Sequence, residues 1–175
     1  SMNLAHHWDR FVGREEMLIK VGNSMLAKLL YDQDRIEDSI ANISAIGDVF
    51  EATFMELFEA KDITLAYCHM QRNGIERALE HIDHACRLRE LYGLDRLLPT
   101  LGAARVNLLL QAGRPVEAES AFSEQNLLAI WENEKNFHYW NWIFVEAFLR
   151  AYGPLYIALH KLPEAIQTLE VIKDK

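Results

Sequence analysis

Cysteine is scarce: Cys68 and Cys86 are the only two in 175 residues. Two thiols make no disulfide framework, and free thiols suit a reducing cytoplasm, where they pack as small hydrophobes. Proline is nearly as rare, at four, and no Ser/Gly/Pro-rich linker divides the chain. No apolar run approaches the ~18 residues that a membrane span needs. No basic-then-apolar leader opens the chain, so no membrane partner is expected. Positive charge is outnumbered, with 18 Lys and Arg against 26 Asp and Glu and a net charge of −8. Phosphate backbones are held by clustered Lys and Arg, so direct nucleic-acid binding by this segment is not expected. Three enzyme signatures are also missing: a Gly-rich phosphate loop, a nucleophile elbow, and a histidine pair set around a glutamate. Catalytic residues, a cofactor and enzymatic activity are accordingly not expected.

Half of the residues are apolar and a quarter charged, the balance of an ordinary globular chain. The apolar ones recur at steps of three and four. Leu18, Val21, Met25, Leu26, Leu29 and Leu30 make a first helical stripe, and Ile36, Ile40, Ile43 and Ile46 a second. No alternating strand pattern interrupts this rhythm, and the chain is read as all-α.

The most informative stretch is Leu149 to Leu169. There Gly153 and Ala165 form a small pair that lets two helices approach closely, with Leu149, Tyr152, Tyr156 and Leu169 around the contact. Ala165 has three small counterparts upstream, each followed four residues later by a large apolar residue: Ser39 with Ile43, Ala78 with Ile82, and Ala118 with Phe122. Each is preceded by a polar turn, at Asp32–Arg35, Arg72–Gly74, Ala112–Pro115 and His160–Pro163. This spacing resembles the tetratricopeptide pattern, although the anchor steps of 39, 40 and 47 residues exceed its usual ~34. The expected architecture is therefore a tetratricopeptide-like right-handed superhelix of about four helical hairpins. Residues 1–16, opening with a Ser1-Met2 tag scar, read as a lead-in or short first helix. Residues 17–175 read as one repeat domain with units at about 17–47, 49–93, 95–131 and 137–175. A long helix or a break near Lys61-Asp62 is expected in the second unit. A bend is expected at Pro154 in the fourth, because the ring removes one helical hydrogen bond. Glu164, Gln167, Glu170 and Lys173 offer the last helix a polar outer face, unless a further unit follows.

The turns Asn73-Gly74-Ile75-Glu76-Arg77-Ala78 and Gln111-Ala112-Gly113-Arg114-Pro115, with the joint Leu88-Arg89-Glu90-Leu91-Tyr92-Gly93-Leu94-Asp95, carry a second resemblance. Over roughly residues 17–172 the chain looks like the helical sensor region of MalT-like regulators, the large ATP-dependent activators of the LuxR type. That likeness implies a bacterial, cytoplasmic signalling domain that binds a small inducer or a partner protein. The ATPase and the helix-turn-helix would belong to a parent protein. A free-standing adaptor that holds a peptide in its concave groove is the alternative, and a homo-oligomer is compatible with either.

Three groups of residues are candidates for function. In stacked hairpins the first helix of each unit lines the concave side, so the positions one past the small residue, Lys28, Tyr67, Asn107 and Pro154, are read as inward-facing. Ser24, Tyr31, Gln71, Gln111 and Arg150 lie on the same stripe. Lys28, Tyr67, Asn107, Gln111 and Arg150 are the expected ligand or partner groove, to which Trp142 adds an aromatic shelf. Trp140, Phe144, Phe148 and Tyr152 recur at steps of four and are read as inter-helix core. His81 and His84, three apart on one helical face with Cys86 nearby, could chelate a metal, but no third ligand stands at suitable spacing. No metal is expected.

Overall fold

Backbone turns with one recurring design set the helix boundaries. A computed structural model describes residues 5–46, 55–125 and 151–173, and every regular element among them is helical, with no strand. Helix α1 spans Ala5–Asp32, α2 Ile36–Ser44, α3 Met55–Asn73 and α4 Ile75–Tyr92. A 3-10 turn over Asp95–Leu97 leads into α5, Leu98–Gln111, and α6 follows at Pro115–Glu124. Residues 151–158 are helical (α7), and α8 covers Leu162–Lys173. Residues 5–16, expected as a lead-in or short first helix, are helical and continue without a break into the rest of α1. The second unit shows no break near Lys61-Asp62, because α3 runs through both. Pro154 is exposed within the helical 151–158.

Asp34, Gly113 and His160 each take a left-handed conformation (φ 62, 70 and 59). The next residue donates its N–H back across the end of the helix: Arg35 to Leu30, Arg114 to Leu109 and Lys161 to Tyr156, at 2.8 to 2.9 Å. That pairing satisfies carbonyls which would otherwise be orphaned at a helix end. The basic residue then caps the following helix, its carbonyl accepting from Ser39, Ala118 or Ala165 at 3.0 to 3.1 Å. The second hairpin is one residue tighter. Gly74 both ends α3 and caps α4 at φ 86, ψ 178, a region that residues with a Cβ avoid. Its carbonyl accepts from Ala78 at 3.3 Å.

Ser39, Ala78, Ala118 and Ala165 therefore occupy one structural position, the first to close a hydrogen bond on its helix. All four are at most 2% exposed. Twelve residues before each stands another buried small or compact residue: Ala27, Ala66, Val106 and Gly153. Ala27 with Ser39, Ala66 with Ala78 and Val106 with Ala118 meet between helices as read from sequence. The close approach expected at Gly153 is corrected, since a Cβ there would meet nothing within 4 Å. Ser39 adds a bond of its own, its hydroxyl donating to the Ala27 carbonyl at 2.7 Å while accepting from the Cys68 thiol at 3.4 Å. Three helices meet at that point.

The core is a chain of local clusters. Ala27, Ile43 and Leu65 join α1, α2 and α3, and Ala66, Ala78, Ile82, Ala104 and Leu108 join α3, α4 and α5. Val106, Ala118, Phe122, Tyr152 and Leu155 carry the sequence on into α7. The Phe122 and Tyr152 rings lie 5.0 Å apart, so Tyr152 is core as its spacing implied. Helix α3 packs on α1 as well as on α2, and α5 packs on α3 as well as on α4. This succession of neighbours is helical-repeat-like. Ion pairs reinforce it from outside, with Arg72 on Glu37 at 3.5 Å, Arg114 on Glu76 at 2.7 Å and Lys161 on Glu119 at 2.8 Å. Each ties a hairpin to the second helix of the one before.

Candidate functional site

The register of the small pairs decides which side chains the first helices of the hairpins present. Ala27 and Ala66 face their partner helices, so Lys28 and Tyr67, one residue on, turn away from that contact. Lys28 is exposed, and Tyr67 and Asn107 are half-buried. One turn further, Tyr31 is half-buried, while Gln71 and Gln111 are exposed. Ser24 is corrected: at 5% exposure it belongs to the buried side of α1. Arg150 and Trp142 lie outside the described residues, as does the run 137–148.

Of the groove candidates, the structure brings together Tyr67 with its neighbours Tyr31 and Gln71. The Tyr31 and Tyr67 rings are 6.0 Å apart at 42°, and the Gln71 amide donates to the Tyr31 hydroxyl at 3.2 Å. These residues come from α1 and α3, so the cluster depends on the two helices lying side by side. Burial pushes the Tyr31 phenol above its ordinary value, against a lowering contribution from Gln71. Tyr31 therefore stays a neutral phenol across physiological pH, able to donate while it accepts from Gln71. An aromatic pair with amide and hydroxyl groups at its edge suits a peptide or a polar small molecule, with flat faces to stack on and directional donors to fix orientation.

The second polar cluster was only half legible in the sequence. Asp62 is buried at 2% exposure inside α3. His84 Nδ1 lies 3.3 Å from both of its oxygens, and His81 Nδ1 3.8 Å from one. His81 also stacks on His69 at 4.8 Å with rings within 7° of parallel, and its Nε2 is buried without a hydrogen-bond partner. The third group missing from the sequence reading is therefore Asp62. Its spacing of 22 residues from His84 recurs at Arg105 and Asp83, which are bonded between α5 and α4. Among the described residues no group of three or more His, Cys, Asp or Glu side chains is placed to hold a metal ion. The cluster acts as a polar seam between α3 and α4, where a buried acid needs donors to offset its lost hydration.

Burial raises the Cys68 and Cys86 thiols above the ordinary thiol value, and both cysteines are free. That direction disfavours the thiolate and makes nucleophilic use of either unfavourable. Among the described residues no helix is long and apolar enough to cross a membrane. Comparison of the chain with profiles of known families, with curated proteins and with solved structures gives no match to any of the three.

Proposed function

We propose that this chain is a tetratricopeptide-like binding domain, a right-handed superhelix of four hairpins that holds a peptide or polar small ligand against its first helices. The observation that carries this reading is the Tyr31–Tyr67–Gln71 cluster, assembled from two successive first helices in a register shared by the other hairpins. Lys28, Asn107 and Gln111 extend the same surface with a cation and two amides, and Arg150 would add a planar fork for a carboxylate or phosphate. An acidic or C-terminal peptide segment matches these donors better than an apolar ligand does. The net charge of −8 opposes long-range capture of an acidic segment, so affinity is modest. In its narrower form the proposal makes this the sensor domain of a MalT-like, LuxR-type regulator, whose parent gene would encode an adjoining ATPase and helix-turn-helix.

The test is a titration of fluorescent acidic peptides measured by anisotropy. Tyr67→Phe and Gln71→Ala, changes that spare the buried small pairs, are expected to weaken binding about three- to tenfold, each losing one hydrogen-bonding group worth ~1 kcal/mol. Asn107→Ala should act in the same direction, while the melting temperature of the free protein stays put. Wild-type affinity in all three variants would move the binding surface elsewhere, with the region around Trp142 as the next target.

A further inference from the structure

Helix α1 carries two faces, and among the described residues only one of them is packed against other helices. Ser24, Ala27 and Leu30 are buried against α2 and α3. On the opposite side Leu18, Ile19, Met25, Leu26 and Leu29 are 65%, 62%, 67%, 44% and 57% exposed. The exposed side follows a heptad. Leu18, Gly22, Met25 and Leu29 succeed one another at steps of four, three and four. Alternating steps of three and four mark the seam of two paired helices, since they keep one narrow stripe facing a partner. Five such side chains expose on the order of 500 Å², near the upper end of what monomers leave to water.

Glycine at position 22 is the second observation. A Cβ there would meet nothing within 4 Å, so no contact among the described residues calls for the missing side chain. Glycine in mid-helix is unfavourable, and a notch in an apolar seam is useful chiefly to a helix that fills it.

We propose that α1 pairs with α1 of a second copy, antiparallel and about a two-fold axis level with Asn23 and Ser24. In this register Met25 of each copy fills the notch at Gly22 of the other. Leu18 meets Leu29, and Ile19 meets Leu26 along the edge. Every large residue in the stripe finds an apolar or empty counterpart, and the match is self-complementary, as an isologous dimer demands. None of these six positions is charged, so no charge is buried among them. Two such faces bury about 1,000 Å² together, the size at which specific association begins. The pairing is independent of the groove reading, and its failure would leave the groove intact.

Sedimentation velocity of the chain, from micromolar to several hundred micromolar, is expected to show a monomer–dimer equilibrium. Met25→Glu and Leu18→Glu should each shift it at least tenfold toward monomer with an unchanged melting temperature for the dilute protein, because neither side chain is packed inside one copy. Gly22→Leu gives the sharper signature: it should weaken the dimer by filling the notch, yet raise the melting temperature of the monomer by removing a helix-interior glycine. Orientation is read by mixing Leu18→Cys and Leu29→Cys chains under mild oxidation, against a wild-type blank. Cross-links between the two variants are expected, and cross-links of Leu18→Cys with itself would overturn the antiparallel register. A wild-type chain monomeric throughout, or a dimer indifferent to both glutamates, would overturn the pairing.

Discussion

A buried small residue stands at the start of the second helix of each hairpin, and its substitution is the most direct trial of the repeat. Ala78 and Ala165 are 0% and 2% exposed, and Ala78 shares its cluster with Ala66. Ala78→Leu or Ala165→Leu is expected to cost about 1–3 kcal/mol, because extra methylenes in a close contact force neighbours off their rotamers. Urea denaturation measures this, and unchanged midpoints for both would mean that the shared register is misassigned. The thiols bring a pH dependence. Burial raises Cys68 and Cys86, so the folded chain holds these protons more tightly than the unfolded one. That contribution is present below the ordinary thiol value of ~8.5 and is lost as pH climbs through the folded values. Tyr31 adds the same sign at higher pH. The denaturation midpoint should therefore fall above about pH 8.5, and less steeply in Cys86→Ala; a midpoint that rises there would contradict the burial of these groups.

At the scale of the element, the turns test how far the design repeats. Gly113 and His160 hold equivalent left-handed positions with opposite fitness for them. Gly113→Ala is expected to destabilise by about 1 kcal/mol, since a Cβ is strained at positive φ, and His160→Gly to be neutral or stabilising. Thermal melts of the two variants should move apart; shifts in the same direction would mean that the two turns are not equivalent. The helices were legible in the sequence for the same reason. Small residues such as Ala118, turn glycines such as Gly93 and Gly113, and prolines at Pro99 and Pro115 are fixed by local backbone chemistry, which one sequence displays. What it could not display were contacts between elements. Asp62 reads as a helix breaker until His81 and His84 arrive from α4 to meet it. Ser24 reads as a groove residue because its polarity outweighs its position, although its phase on α1 matches Ala27. The Tyr31–Tyr67 pair needed two helices side by side, which periodicity alone does not specify.

At the scale of the molecule, stability should be graded along the chain, because the described residues form a succession of local clusters and no single central core. Each cluster joins a hairpin to the next, so an interior hairpin has neighbours on two sides and a terminal one on a single side. In such arrays stability is approximately a sum of unit and nearest-neighbour contributions. Helix α3 touches α1, α2, α4 and α5, whereas α2 touches only α1 and α3 among the described helices. Amide hydrogens of α3, α4 and α5 should therefore exchange slowest, near the limit of global unfolding, and those of α2 and α8 faster by at least tenfold. Helix α1 distinguishes the monomer from the proposed pair. Alone, its seam faces water and its amides should exchange at the rate of a terminal element. Paired, its seam is covered by a second α1, and exchange should slow as protein concentration rises, while rates in α4 and α5 stay constant. Hydrogen–deuterium exchange read by mass spectrometry at two concentrations separates these effects in one measurement. Uniform protection from α1 to α8 would contradict the graded array, and concentration dependence in α8 in place of α1 would move the contact to the other end of the chain.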